Sequence, residues 1–130
     1  MVAVDTNIIV RFLTQDDPEQ FQKSVAIFEY PQIFIPDTVV LETEWVLRYA
    51  YKYSPDQIMT AFKSLFGLPN VHLRDAAAIA LAIEWRESGL AFADAFHLAQ
   101  AQHCQQMMSF DQRFVKRSRQ IGACPVTLPA

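Results

Sequence analysis

The sequence has few of the residues on which disulfide-rich or zinc-stapled domains depend. Its two cysteines, Cys104 and Cys124, have no CxxC spacing, and only His103 stands beside one of them. This pattern excludes a zinc ribbon and a disulfide framework, and we expect both cysteines to be small buried or half-buried apolar residues. With 130 residues, of which 52% are hydrophobic, a single domain over residues 1–130 can bury a core without such staples.

Glycine and long apolar runs are scarce as well. The chain has 3 Gly and 19% charged residues, which is typical of a densely packed globular protein rather than a disordered one. No stretch approaches the roughly 20 apolar residues that a membrane-spanning helix needs. The opening residues, MVAVDTN, lack the basic segment and long apolar run of a secretory signal. We therefore expect a cytoplasmic protein with no membrane partner.

An excess of basic charge is also missing. The net charge is −3 at pH 7, which argues against a protein that coats RNA passively, because phosphate neutralisation supplies most of that affinity. An enzyme that holds its substrate through divalent cations is less affected by this charge. If four carboxylates serve as metal ligands, the remaining surface is slightly basic.

Short apolar segments alternate with helical patterns along the chain. Strands are predicted at Val2–Val4, Ile33–Ile35, Val71–Leu73, Met107–Met108 and, at an edge, Pro125–Leu128. The helical patterns between them include a hairpin at about residues 37–68, an Ala-rich helix that starts at Asp75 and stops at Gly89, and a final helix over Asp111–Arg119. This alternation predicts an α/β fold: three α/β/α layers around a central parallel sheet of four to five strands.

Acidic residues follow two of the predicted strands. Asp5 ends the first strand and Asp111 follows the fourth, while Asp94 lies in the first turn of the helix that leads into the fourth. Ligands of open parallel sheets bind at the carboxyl ends of the strands, so these three acids are expected to converge if strands one and four are neighbours. Glu42, in the helix after the second strand, can reach the same place.

Gathered carboxylates repel one another, and a divalent cation resolves that conflict. All-oxygen ligands favour Mg²⁺ or Mn²⁺ over zinc, and such ions support attack on a phosphodiester. Each aspartate also has a structural explanation: Asp5 can cap the first helix, and Asp94 and Asp111 stand where Asp stabilises a helix N-terminus.

Glu42 and Glu44 compete for the fourth position. A carboxylate at Glu42 interrupts an apolar face that includes Trp45 and Val46, which favours Glu42 for the site. Glu44 is only the second choice, because Arg48 at i+4 gives it an ordinary ion-pair partner.

Four segments in order, VDTNIIVRFL, IPDTVVLETEWVLR, FADAFHLAQA and SFDQRF, resemble PIN domains of the VapC toxin type over nearly the whole chain. The resemblance implies an α/β/α domain with Mg²⁺- or Mn²⁺-dependent endoribonuclease activity on single-stranded regions of cellular RNA. It implies a metal held by Asp5 and Asp94, with Glu42 and Asp111 acting directly or through water. It also assigns supporting roles, orienting carboxylates or waters, to Thr6, Asn7 and Ser109.

The same resemblance implies a homodimer and a cognate VapB-type antitoxin, whose C-terminal segment fills a groove beside the active site. Trp45, Tyr49 and other aromatic residues crowd the helical hairpin at about 37–68, more than two helices normally bury. This hairpin is therefore a candidate clip for an amphipathic antitoxin segment or for a second copy of the chain.

Basic residues in the last helix have two interpretations. Arg113, Lys116 and Arg117, with Arg119 nearby, can hold RNA phosphates, or they can form an ordinary solvated helix end that suits the helix dipole. His97, one turn after Asp94, is expected to be a packed or surface residue, since sites for hard cations seldom use imidazole.

Other functions fit less well. A phosphatase of the haloacid-dehalogenase type needs a second Asp two positions after the first, where this chain has Asn7. Receiver domains need an acidic pair near the first strand and a separate phosphoacceptor Asp. A non-catalytic RNA- or protein-binding PIN-like module remains the alternative, although unused buried carboxylates are costly.

Overall fold

The computed structural model describes residues 1–130 as two compact units, Met1–Arg74 (unit 1) and Asp75–Ala130 (unit 2). Unit 1 carries three strands and four helices, and unit 2 carries two strands and three helices. None of the helices is both long and apolar enough to span a membrane.

Unit 1 is a small parallel sheet surrounded by helices. In chain order its elements are β1 (Val2–Ala3), α1 (Thr6–Thr14), α2 (Pro18–Phe28), β2 (Ile33–Ile35), α3 (Asp37–Tyr49), α4 (Pro55–Phe66) and β3 (Val71–Leu73). The strand order is β1-β2-β3, with Val2 opposite Ile33 and Ile33 opposite Val71. Ile33 and Ile35 are completely buried, so the middle strand forms the centre of this unit's core.

Local capping explains where the helices of unit 1 begin. Asp17 accepts a hydrogen bond from the Gln20 amide, and Pro18 occupies the first turn of α2. Ser54 and Gln57 form a reciprocal capping box at the start of α4. The predicted helical hairpin is confirmed as α3 and α4.

Unit 2 consists of a pair of packed helices and a two-stranded parallel ladder. Its elements are α5 (Ala76–Glu87), α6 (Phe92–Gln100), β4 (Met107–Met108), α7 (Gln112–Arg117) and β5 (Val126–Thr127). Met107 pairs with Val126, and α5 packs extensively on α6. Asp75 caps α5, and Gly89, at φ +113°, allows the chain to turn after it, as the sequence predicts.

The predicted α/β fold of parallel strands flanked by helices is confirmed, and all five strands lie where they are expected. Hydrogen bonding divides them between two ladders: β1 pairs with β2, and β4 pairs with β5. The final helix is shorter than predicted and ends at Arg117, because Ser118 already caps it.

The buried face of α3 consists of Val40, Thr43, Glu44 and Leu47, and Trp45 is 55% exposed. The burial predicted for one of the two cysteines is wrong. Cys104 is exposed and only Cys124 is buried, and both are free thiols. Cys104 lies in the irregular segment between α6 and β4, where no packed element covers it.

Candidate active site

Asp5 lies directly after the buried Val4, between β1 and α1. Its Oδ1 accepts a hydrogen bond from the adjacent Thr6 amide at 2.7 Å, so Asp5 caps α1. The bond reaches only the first amide of the helix, whereas a typical cap reaches the second or third. The structural explanation of Asp5 is therefore correct in part, and Oδ2 makes no hydrogen bond with the protein and stays available to a ligand.

Thr6 joins the start of α1 to the middle of α3. It is 6% exposed, and its hydroxyl donates a hydrogen bond to Oε1 of Glu42. This bond fixes the rotamer of a carboxylate whose remaining surface is exposed. Thr6 thus brings Glu42 to the same cavity as Asp5.

That cavity, which we call the acidic pocket, has a volume of about 380 Å³. Its lining residues are Asp5, Thr6, Asn7, Val10, Arg11, Glu42, Val46, Ala50 and Tyr51. The two carboxylates, the Thr6 hydroxyl and the Asn7 amide give it the oxygen ligands that a hard cation prefers.

Glu44 is engaged elsewhere. It is 4% exposed and accepts two hydrogen bonds from Arg48, from Nε at 2.8 Å and from Nη2 at 3.1 Å. The hydrogen bonds that Arg48 donates to Glu44 raise the pKa of the Arg48 guanidinium, which keeps that group charged. The geometry therefore favours Glu42 over Glu44 as the pocket carboxylate.

Asp94 and Asp111 interact within unit 2. Asp94 is half-buried in the first turn of α6, and its pKa is raised by burial and then by the negative charge of Asp111, while His97 acts in the opposite direction. No hydrogen bond from unit 2 reaches the Asp94 carboxylate. Asp94 lies where a negative charge stabilises a helix N-terminus, and its role as a metal ligand stays a prediction.

Asp111 does cap a helix. Its Oδ1 accepts hydrogen bonds from the amides of Arg113 at 3.0 Å and Phe114 at 3.1 Å, in the usual geometry of a cap. Ser109 supports it from the other side, since its Oγ accepts a hydrogen bond from the Asp111 amide at 3.0 Å. Asp111 is exposed, and Oδ2 is not used by the cap.

The donor chemistry of both carboxylate pairs fits Mg²⁺ or Mn²⁺. Asp5 with Glu42 and Asp94 with Asp111 offer only oxygen atoms, and the half-buried Asp94 accepts no hydrogen bond within unit 2. Neither unit brings together three or more His, Cys, Asp or Glu side chains closely enough to hold a metal ion. The convergence of all four acids stays a prediction.

The remaining predicted residues are on the surface. Arg113, Lys116, Arg117 and Arg119 are exposed on α7 and just after it. His97 is exposed one turn after Asp94, where it opposes the rise in the pKa of that carboxyl that burial causes. Phe110, between Ser109 and Asp111, is 87% exposed, a feature that the hydrophobic pattern did not indicate.

Sequence reasoning also missed Arg11 and Tyr51, which line the acidic pocket together with its carboxylates. Arg11 Nη1 donates to the Tyr51 hydroxyl at 2.9 Å, and that hydroxyl donates to Asp16 Oδ2 at 2.7 Å. Hydrogen bonds from Tyr51 and then Thr14 lower the pKa of Asp16. One signal was available: Arg11 stands four residues after Asn7 and so shares its face of α1.

Comparison with protein families identifies the family of the chain. The sequence profile of the PIN domain matches residues 2–120, which include all four predicted acids. No individually curated protein gives a significant match. PIN domains are usually metal-dependent nucleases and typically use Mg²⁺. The chain therefore belongs to the PIN domain family.

Proposed function

We propose that this PIN domain is an endoribonuclease toxin of the VapC type that cleaves single-stranded regions of cellular RNA with Mg²⁺ or Mn²⁺. The observation that carries the proposal is the acidic pocket, where the Thr6 hydroxyl holds Glu42 beside the cavity that Asp5 also lines. A cavity of about 380 Å³ has the volume of a site for a small ligand, such as one nucleotide.

Each acidic residue has a role in this proposal. Asp5 and Asp94 are metal ligands, and Glu42 and Asp111 act directly or through water. A bound Mg²⁺ supplies an activated water and neutralises charge on the phosphodiester. The chain's own groups then orient the parts: Thr6 holds Glu42, Asn7 offers an amide to the pocket, and Ser109 fixes the backbone of Asp111.

Basic side chains of α7 are proposed to bind RNA phosphates. Arg113, Lys116 and Arg117 are exposed and follow Asp111 along the chain, so they can contact the same strand that the acid serves. Their replacement by Gln is expected to weaken RNA binding without changing the metal requirement.

The direct test is cleavage of a fluorescent single-stranded RNA in Mg²⁺, Mn²⁺ or EDTA. The wild-type protein is expected to cleave only with metal, and Asp5→Asn is expected to remove the activity. Asp56→Asn is a matched control, because Asp56 is an exposed acid in the first turn of α4, outside the acidic pocket. Cleavage that survives both EDTA and Asp5→Asn would contradict the proposal.

A non-catalytic RNA- or protein-binding module is the second candidate. It is favoured by one observation: neither unit gathers three or more potential metal ligands. In that case the protein binds the RNA and leaves it intact, and the affinity is the same in Mg²⁺ and in EDTA. The cleavage assay, with binding measured on the same RNA, separates the two functions.

The helical hairpin supports a proposed antitoxin partner. Trp45 and Tyr49 are about half exposed on α3, with ring centroids 5.0 Å apart, which gives an apolar surface for an amphipathic segment. We propose that a VapB-type antitoxin binds there and that the protein forms a homodimer. Co-expression with the product of the adjoining open reading frame tests the partner, and light scattering tests the dimer.

Trp45→Ala is expected to weaken capture of that antitoxin while leaving RNA cleavage by the free protein unchanged. Tyr30→Ala is a matched control, since Tyr30 is another half-exposed aromatic residue that lies outside the hairpin. Equal capture by wild type and Trp45→Ala would contradict this binding surface.

A further inference from the structure

A second cavity shares a wall with the acidic pocket. It has a volume of about 250 Å³ and is formed by residues of α1 and α2. Its lining residues are Asn7, Ile8, Arg11, Gln20, Lys23 and Ser24. We call it the basic pocket, because it contains two cations and no acidic side chain. Asn7 and Arg11 border both cavities.

The shared wall is one face of α1. Asn7 and Arg11 are four residues apart and therefore lie one above the other on the helix. Arg11 follows Asp5 by six residues, which corresponds to about 9 Å along the helix axis. A strand that leaves the acidic pocket over Asn7 and Arg11 therefore reaches the basic pocket within one or two nucleotides.

Arg11 is held in place before any ligand arrives. Nε donates to Gln20 Oε1 at 2.7 Å, and Nη1 donates to the Tyr51 hydroxyl at 2.9 Å and to Asp16 Oδ1 at 3.3 Å. Nη2 makes no hydrogen bond with the protein, so two N–H groups of a fixed guanidinium remain for an anionic oxygen. Fixed guanidinium groups bind phosphates well because little side-chain entropy is lost.

Lys23 is the second cation of the basic pocket. It forms an ion pair with Glu19 at 3.4 Å, but both side chains are largely exposed. Exposed pairs of this kind are weak and exchange readily with other anions. The ammonium group can therefore leave Glu19 and contact a phosphate.

We infer that Arg11 and Lys23 bind the sugar-phosphate backbone of the RNA strand next to the bond that is cleaved in the acidic pocket. This inference rests on the proposed nuclease function and adds a path for the strand. The two cavities are complementary to different parts of one substrate: the carboxylates suit the metal-bound phosphate, and the two cations suit the next phosphates. A polar basic cavity fits this backbone better than an apolar protein segment.

Fluorescence anisotropy of a labelled single-stranded RNA tests the path. All proteins carry Asp5→Asn, so that cleavage does not interfere, and salt is varied. Lys23→Gln is expected to weaken binding about 2- to 5-fold, and Arg11→Gln about 10-fold. Each is expected to reduce the slope of log K against log salt by about 0.7, the contribution of one phosphate contact on a single strand.

Two further variants are expected either to strengthen RNA binding or to leave it unchanged. Glu19→Gln releases Lys23 from its partner, so it is expected to strengthen RNA binding. Lys63→Gln, which removes an exposed lysine of α4 outside both cavities, is expected to leave affinity and salt slope unchanged. A general loss of positive charge would instead affect Lys63→Gln as much as Lys23→Gln, and that result would overturn the inference.

Tyr51→Phe separates backbone binding from a purely structural role of Arg11. It removes the hydroxyl that links Arg11 to Asp16 but keeps both cations. If Arg11 contacts a phosphate, the salt slope falls in Arg11→Gln and not in Tyr51→Phe. Equal loss in both variants would mean that Arg11 only holds the fold, and it would overturn the assignment.

The outcomes also separate this inference from the proposed function. Metal-dependent cleavage by the wild type, with unchanged affinity in Arg11→Gln and Lys23→Gln, would overturn the strand path and leave the nuclease intact. Absence of cleavage, with weaker binding in both variants, would overturn the nuclease and support the basic pocket as an RNA-binding surface. If Arg11→Gln and Lys23→Gln lose capture of the antitoxin but bind RNA normally, the proposed path of the RNA strand is also overturned.

Discussion

The two carboxylate pairs of this protein are built in different ways. In unit 1, Asp5 and Glu42 each accept a hydrogen bond from Thr6, one from its amide and one from its hydroxyl. In unit 2, Asp94 is half-buried, accepts no hydrogen bond within the unit and lies near the charge of Asp111, so its pKa is raised. In the first pair each carboxylate has a hydrogen-bond donor, whereas in the second pair Asp94 has none within its unit.

The sharpest test of this difference is Asp94→Asn. We expect RNA cleavage to fall by about 100-fold or more, because a metal ligand is lost. The free energy of unfolding in EDTA at neutral pH is expected to rise, because the change removes a poorly compensated charge. Asp5→Asn is expected to cause a similar loss of cleavage without a rise in the free energy of unfolding, since Asn caps a helix almost as well as Asp.

Denaturant unfolding, read beside the cleavage assay, measures both effects on the same preparations. A variant Asp94→Asn that cleaves normally and unfolds more easily would show that this carboxylate serves the fold, and the contrast between the pairs would disappear.

Metal-dependent stability should follow the same contrast. A ligand at 100 times its Kd stabilises the folded state by about 2.7 kcal/mol. We expect Mn²⁺ to raise the Tm of the wild-type protein and of Asp56→Asn by a corresponding amount. The shift should be abolished in Asp94→Asn, which a thermal melt with and without Mn²⁺ would measure.

If Mn²⁺ raises the Tm of Asp94→Asn as much as that of the wild type, the ion binds elsewhere. The assignment of the half-buried carboxylate as a ligand would then be wrong, whatever the cleavage assay shows.

Glu42 and Glu44 allow a comparison within one helix. Glu42→Gln is expected to reduce cleavage at least 10-fold and to change the free energy of unfolding by less than about 0.5 kcal/mol, because the side chain is exposed. Glu44→Gln is expected to cost about 1 kcal/mol, because it disrupts the bidentate bond with Arg48, and to preserve cleavage.

A cleavage assay and denaturant unfolding of each variant measure both expected effects. The reverse result, with cleavage lost in Glu44→Gln and retained in Glu42→Gln, would assign the active carboxylate to Glu44 instead of Glu42.

The smallest expected effect is on the pH dependence of stability, and its sign differs between the units. The pKa of Asp16 lies below its ordinary 3.8, owing to hydrogen bonds from Tyr51 and Thr14. Its stabilising contribution is present above pH 3.8 and is lost as the pH falls through the lowered pKa. The pKa of Asp94 lies above 3.8, so its penalty is present above the raised pKa and disappears as the pH falls towards 3.8.

Unfolding free energies between about pH 3 and pH 7 check these signs. The advantage of the wild type over Asp16→Asn should shrink as the pH falls, and the advantage of Asp94→Asn over the wild type should shrink as well. Curves for Asp94→Asn and wild type that stay parallel throughout would show that burial has no effect on the Asp94 pKa.

Strand positions were predictable because each strand is a short apolar run with a clear end. Ile33–Ile35 stops at Pro36, and Val71–Leu73 stands between a loop and a helix cap, so both bounds agree with the structure. The cap at Asp75 and the turn at Gly89 were equally predictable, since each depends on residues close in sequence.

Burial on α3 was not predictable from hydrophobicity. Glu44 is buried because Arg48 satisfies its charge, while the neighbouring aromatic residue Trp45 is exposed. The role of Arg11 was equally hidden, because it depends on Tyr51, 40 residues later along the chain. Pairings of this kind follow from tertiary structure and not from periodicity.

The bond between Thr6 and Glu42 limits what the acidic pocket can accept. A carboxylate only receives protons in hydrogen bonds, so the single hydroxyl proton of Thr6 is committed to Glu42. The hydroxyl oxygen then has only lone pairs to offer. At this point of its lining the cavity therefore offers a lone pair to a water hydrogen or to a cation, and no proton to an anionic oxygen.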